Sequence, residues 1–229
     1  MPTGILINLC GVLLGCLLGS LLGRLLREEL RRSLTTTFGF CALTIGVTLI
    51  VRIGNLAPAV LSLVLGTLAG ELLRLQDRVN QGVCAVSEKL LGSSRGEAYL
   101  QEFRAVAVLF CFSGTGLVGA MTEGFTGDHT LLLAKAVMDF FTAMIFSSLL
   151  GGLIAIICVP QAVVMFAMFA LSHLLMPVFD TVILGNFYAV GGVITLMAGF
   201  NMLKLRDVHT INALPALVLV PILTALWPL

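Results

Sequence analysis

The chain has 229 residues, of which 59% are hydrophobic and 11% charged, with a formal net charge of +1 and a mean hydropathy of +1.08. A soluble domain carries about 25% charged residues, so a soluble fold is excluded, and basic residues that cluster beside apolar runs make no nucleic-acid face. What remains is an all-α, polytopic membrane helix bundle whose first partner is the lipid bilayer.

A spanning helix needs about 20 mainly apolar residues. Eight segments qualify, near 4–23, 34–53, 56–73, 103–122, 130–156, 157–176, 183–203 and 211–228. The first opens Met-Pro-Thr-Gly, without the basic n-region of a cleavable signal. It carries Gly11, Gly15, Gly19 and Gly23 at a four-residue step on one helix face. Small residues at that spacing let helices approach closely, either inside the bundle or across a homodimer, and the sequence leaves both open. Asn8, on roughly the same face, is placed to hydrogen-bond across that contact or to line a cavity.

Gly46 lies in the second span, and Asn55-Leu-Ala-Pro58-Ala opens the third. Glu71 and Arg74, one turn apart at the inner end of the third span, read as an interfacial pair. In the loop 74–102, Val79, Val83, Val86 and Leu90 fall at helical spacing against polar Asp77, Arg78, Glu88 and Lys89. That pattern predicts a short amphipathic helix on the inner surface, followed by a flexible joint at Gly92-Ser-Ser-Arg-Gly96.

The fourth span contains Ser113-Gly-Thr115-Gly116 and then Gly119. Each glycine weakens a helix by about 1 kcal/mol relative to Ala, so the span either breaks here or uses its glycines for close packing. It leads into Glu123-Gly-Phe-Thr126-Gly-Asp128 and on to the fifth span, which carries Lys135 and Asp139 one turn apart. At 1.5 Å per residue, Asp139 lies about 14 Å past Thr130, near mid-bilayer. Thr142, Ser147 and Ser148 continue the polar stripe. The boundary between the fifth and sixth spans is expected at Val159-Pro160; fusing the two would leave seven spans. His173 falls in the sixth span, Asp180 in the next outer turn, Asp207 and His209 in a solvated loop, and Asn212-Ala-Leu-Pro215-Ala opens the eighth.

With the N-terminus outside, Arg24, Arg27, Arg31, Arg32, Arg74, Arg78, Lys89, Arg95, Arg104, Lys204 and Arg206 all fall in cytoplasmic segments. Only Arg52 and Lys135 fall elsewhere. That bias places both termini on the outer, non-cytoplasmic side of the membrane. The Asn55 and Asn212 motifs then lie on opposite sides, as an inverted repeat requires, although Asn and Pro are also ordinary helix-start residues. The chain is read as one transmembrane domain, 1–229, with repeat halves 1–76 and 129–229 and a cytoplasmic linker 77–102.

The six cysteines, Cys10, Cys16, Cys41, Cys84, Cys111 and Cys158, show no C-x-x-C spacing. They indicate neither a disulfide framework nor a zinc site and read as small buried hydrophobes.

The chain resembles the YqgA/YdfK-like family of bacterial inner-membrane proteins, domain of unknown function 554, nearly end to end. The likeness rests on the opening Ile-Asn8 with its glycine ladder, Leu-Gly-x-Leu-x-Gly-Glu71, and Gly119-Ala-Met-x-Glu123-Gly-x-Thr126-Gly-Asp128. It continues through Lys135-x-x-x-Asp139-x-x-x-Ala143-x-x-Phe146, Ala189-Val-Gly-Gly192 and Asn212-x-Leu-Pro215-Ala. The resemblance implies a multipass membrane protein and supplies no established activity.

Function is therefore argued from the residues. A carboxylate near the bilayer centre costs roughly 2.5–3.5 kcal/mol even on lenient scales, and such residues usually face a bundle interior or a water-filled path. The expected function is a transporter or channel for a small cation or a proton, with proton coupling as one form of it, no cofactor and no enzymatic role. The expected pathway is Asp139 and Lys135, an outer funnel of Glu123, Asp128 and Thr126, the broken-helix residues Ser113 and Thr115, and the amides Asn8, Asn55 and Asn212. A Lys135–Asp139 pair that only locks the bundle is the plainer alternative. No P-loop is present for ATP-driven pumping. An intramembrane serine hydrolase using Ser113 and His173 is a rival class, but Cys111 stands where Gly-x-Ser-Gly would need glycine. A membrane scaffold or sensor using the 74–102 loop is the third.

Overall fold

A computed structural model describes residues 1–22, 27–91 and 96–227. Gly23, Arg24 and the stretch Gly92-Ser-Ser-Arg95 lie outside the described residues, as do the side chains of Glu88, Lys89 and Leu90. The described residues form ten α-helices: α1 (Thr3–Leu22), α2 (Glu28–Ile50), α3 (Leu56–Leu72), α4 (Leu75–Leu91), α5 (Glu97–Cys111), α6 (Gly114–Thr126), α7 (Thr130–Leu150), α8 (Cys158–Leu175), α9 (Thr181–Met202) and α10 (Pro215–Leu226). No strand occurs among them, in keeping with a hydrocarbon setting that offers backbone groups no partner but their own helix.

Six helices or helix runs are long and apolar enough to cross a membrane: α1, α2, α5 with α6, α7, α8 with its preceding turn, and α9. The bent pair of α3 and α4 makes a seventh, and the shorter apolar stretch Thr210–Leu226 accounts for the remaining segment. Large side chains stay exposed along these helices, such as Leu13, Leu14, Leu17 and Leu21 on α1, which suits contact with lipid.

The boundary between the fifth and sixth apolar segments differs from expectation. α7 ends at Leu150; Gly151 takes φ +79°, a left-handed backbone that favours glycine, and a 3-10 turn over Gly152–Ile157 leads into α8. Pro160 sits in the first turn of α8, where its missing N–H has no helical acceptor to lose. The chain reverses at the glycines, not at the proline.

By its own contacts the chain divides into two compact units. The first comprises Met1–Thr35 and Val79–His173. Here α1 and α7 run parallel: a Cβ added at Gly11 would lie 3.3 Å from the Ala136 carbonyl oxygen, and at Gly15 and Gly19 it would overlap the Phe140 and Met144 carbonyls. The glycine step on α1 thus matches a carbonyl step on α7. The Ser147 hydroxyl donates to the Cys16 carbonyl at 2.8 Å along the same seam. The glycine face considered for a homodimer is filled within the chain as far as Gly19. Val12, Cys16, Phe103, Val106, Phe110, Ile154 and Ile157 build the core beside the seam.

The amphipathic stretch of the 74–102 loop is helical, as α4. Its Val79, Val83 and Val86 face an apolar cavity of about 260 Å³ shared with Phe103, Ala107, Cys111, Phe112, Ile157 and Pro160. Val79 and Val83 are half-buried there, and Val86 stays 53% exposed.

The second unit comprises Thr36–Arg78 and Leu174–Leu229. α2 and α9 are antiparallel and touch through glycine. A Cβ at Gly46 would meet the Gly192 carbonyl oxygen at 2.8 Å, and one at Gly192 the Gly46 carbonyl at 2.6 Å. α3 and α10 are antiparallel too, with Gly66 against Ala216 and Gly70 against Asn212. The first pairing agrees with α7 and α8 as separate spans: were they one span, α9 would run in the same direction as α2. Glu71 pairs with His209 Nδ1 at 3.1 Å instead of with Arg74, whose backbone takes φ +50° at the break between α3 and α4.

Candidate functional site

The fourth apolar segment breaks where its Ser-Gly-Thr-Gly run stands. α5 ends at Cys111, and the Ser113 hydroxyl caps α6 by accepting from Gly116 N–H at 3.2 Å. Freed backbone groups at membrane depth are tolerated only when buried in protein or beside a wet cavity. Lys135 of α7 passes this break so closely that a Cβ at Gly116 would lie 2.9 Å from its Cε. A larger residue here would have to displace the end of the Lys135 side chain; no unusual φ is involved. The Lys135 ammonium lies 5.9 Å from the centre of the Phe110 ring.

Lys135 Nζ donates to Asp139 Oδ1 at 3.0 Å and lies 2.7 Å from Oδ2. Asn8 Nδ2, from α1, donates to Oδ2 at 2.9 Å. Gln161 Nε2, from the second turn of α8, donates to Oδ2 at 3.1 Å and to Asn8 Oδ1 at 2.9 Å. Three helices converge on one carboxylate, and none of the four residues is more than 8% exposed. Gln161 Oε1 is buried without a hydrogen-bond partner, uncommon for a polar atom in such a place.

Glu123, expected in an outer funnel, is 3% exposed. Its carboxylate accepts from the backbone N–H groups of Gly4 at 2.6 Å and Ile5 at 3.3 Å, at the N-terminus of α1. Those N–H groups have no partner inside their own helix, and the helix dipole favours an anion beside them. Thr126 and Asp128 lie exposed in the turn between α6 and α7. The Thr126 hydroxyl donates to the Thr122 carbonyl, and Asp128 Oδ1 accepts from Thr130 N–H. Thr115 is buried in the first turn of α6.

Asn55 and Asn212 belong to the second unit, and their roles differ. Asn55 caps α3 by accepting from Ala57 N–H at 3.2 Å. Asn212 sits in the turn Thr210–Ala213 and accepts from Gln76 N–H at 2.8 Å. Asn186 of α9 closes the break before α3, its Oδ1 accepting from Gly54 and Asn55 N–H. Ser113 and His173 are each engaged elsewhere, Ser113 as a cap and His173 with the Phe169 carbonyl at 2.9 Å.

Ser113, Thr115, Lys135, Asp139 and Asn8 thus belong to one unit, with Lys135, Asp139 and Asn8 in direct contact. Gln161 was not foreseen. Its signal was a lone amide between Pro160 and the apolar run Ala162–Ala170. Among the described residues no group of three or more His, Cys, Asp or Glu side chains could hold a metal ion.

A family model described as "Protein of unknown function (DUF554)" matches residues 3–225. The chain is 40% identical over 231 residues to an "Uncharacterized protein YqgA" of Escherichia coli (strain K12), covering 99% of this chain and 98% of that one. It is 26% identical over 199 residues to an "Uncharacterized membrane protein YdfK" of Bacillus subtilis (strain 168), covering 82% of this chain and 81% of that one. No solved structure matches.

Proposed function

This chain belongs to the DUF554 family of membrane proteins of unknown function, and we propose that it is a multipass inner-membrane transporter of a small cation, with Asp139 as its central site. The observation that carries the reading is the buried Lys135–Asp139 pair beside the break between α5 and α6. An ionisable pair in mid-helix is expensive in a bilayer and is by default a functional site. Broken helices at a midplane site are a recurrent feature of secondary transporters. Lys135 holds the carboxylate when nothing else does, and an entering cation takes its place.

The inverted repeat belongs to the same reading. Each helix of the α2–α3 hairpin runs antiparallel to its counterpart in α9–α10, as a two-fold axis in the membrane plane would require. The different local roles of Asn55 and Asn212 confine the likeness to helix order and direction.

The test is ion flux in proteoliposomes holding the full chain, across protons and monovalent and divalent cations, with Asp139→Asn in parallel. Flux that vanishes in the variant is the expected result. Absence of flux for every cation would overturn the reading, as would normal flux in Asp139→Asn.

A further inference from the structure

We propose that the species bound at Asp139 is a proton and not a metal ion, and that Gln161 supplies the acceptor its protonated form needs. The inference rests on the transport reading for its physiological meaning only.

Every side-chain polar atom bonded to the Asp139 carboxylate is a donor: Lys135 Nζ, Asn8 Nδ2 and Gln161 Nε2. Hard cations take about six to eight oxygen ligands, but here N–H groups occupy the lone pairs such an ion would use, and even with both amides turned these side chains offer only the two Asp139 oxygens, Asn8 Oδ1 and Gln161 Oε1. A proton asks for less. It needs one carboxylate oxygen and one acceptor for the resulting O–H.

The amide of Gln161 can supply that acceptor by turning over. Gln161 Oε1 is buried and unpartnered, on an amide whose nitrogen touches Asp139. An amide can turn over and exchange its oxygen for its nitrogen. When a proton from water bonds to Asp139 Oδ2, the negative charge is lost. Gln161 turns to let Oε1 accept from the new O–H, and Asn8 turns with it to donate Nδ2 to the same oxygen. Lys135 keeps its own proton and loses its counter-charge. The Phe110 ring, 5.9 Å away, and the carbonyl end of α5 at the break are the next favourable places for an ammonium. One proton thus shifts a buried cation between two sets of partners, the two-state element a transport cycle requires.

The other groups able to influence Asp139 are Lys135 on its own helix, Cys111 on α5 and Cys158 on α8, with Cys16 and Cys10 of α1 beside Cys158. Glu123 of α6 is held further along, at Gly4.

Infrared difference titration of the full-length protein in liposomes tests this without requiring transport. A protonated-carboxyl C=O band should rise as pH falls and be missing in Asp139→Asn. Thiols absorb elsewhere. Gln161→Glu sets a second carboxylate against the first, and two carboxylates sharing a site hold one proton more tightly. The band's midpoint should then move to a proton concentration at least about tenfold lower. Gln161→Met removes the acceptor and should move the band's frequency. The proposal fails if no band depends on Asp139, or if sodium, potassium, lithium or magnesium abolishes it at constant pH and ionic strength. It also fails if both Gln161 variants leave the band where it was. A band that titrates without any flux keeps the proton site and removes the transport reading; flux of a metal ion with no titrating band does the reverse.

Discussion

Asp139→Asn keeps the size of the side chain and removes its charge, and the geometry fixes what that does to stability. Lys135 reaches both carboxylate oxygens, while Asn8 and Gln161 both donate to Oδ2. With the new NH₂ at the Oδ2 position, Asn8 and Gln161 must turn to present an acceptor, and no neighbour then offers Lys135 a negative charge. The ammonium, 4% exposed, is left without a counter-charge. Breaking a buried pair from one side costs about 3–5 kcal/mol, a large share of the roughly 5–15 kcal/mol that holds a domain folded. Lys135→Met should cost a similar amount by stranding the carboxylate. The double variant removes both charges at nearly constant volume and should recover more than half of the loss, since buried pairs are often replaceable by apolar groups. Denaturant or thermal unfolding in detergent measures the stability cycle, and proteoliposome flux measures function in parallel. The double variant should be stable and inactive. If it transports like the parent, the pair is a structural lock and the site lies elsewhere. If Asp139→Asn loses no stability, the pair does not carry the charges assigned to it.

Glu123→Ala leaves the Gly4 and Ile5 N–H groups of α1 unpaired and should destabilise by about 2–3 kcal/mol. Flux per folded molecule should persist; lost flux at unchanged stability would return Glu123 to the pathway. Gly15→Ala and Gly19→Ala set a methyl group against the Phe140 and Met144 carbonyls and should each cost about 1–3 kcal/mol in unfolding experiments, with Gly11→Ala costing less. Gly82→Ala, with nothing within 4 Å of the added Cβ, should be neutral or stabilise α4 by up to about 1 kcal/mol; a loss there would place a partner against α4. Reporter fusions should find residues 204–210 in the cytoplasm and the C-terminus outside, and a cytoplasmic C-terminus would contradict the eight-span order.

The helices were legible because each is an apolar run bounded by charge, glycine or proline, and the bilayer sets their length. The break at Phe112–Ser113 was legible for the same local reason: a serine able to cap, followed by glycines, costs a continuous helix more than it costs two short ones. Partnership was harder to read. The α1 glycine step fits a neighbouring helix in the same chain or in a second copy equally well. Only the matching carbonyls of Ala136, Phe140 and Met144 decide between them, and carbonyls leave no mark in a sequence. Glu123 shows the limit most sharply. Its charge and its place near the end of an apolar run suit an ion funnel, but the two N–H groups it binds lie at the far end of the chain, 118 and 119 residues away. Gln161 is the opposite case. As a neutral amide it carries too small an insertion penalty to stand out, and it gains meaning only because α8 sets it against Asn8 and Asp139. A charged residue in an apolar run announces a site, whereas the neutral groups that determine which species the site can hold become visible only once the helices are assembled.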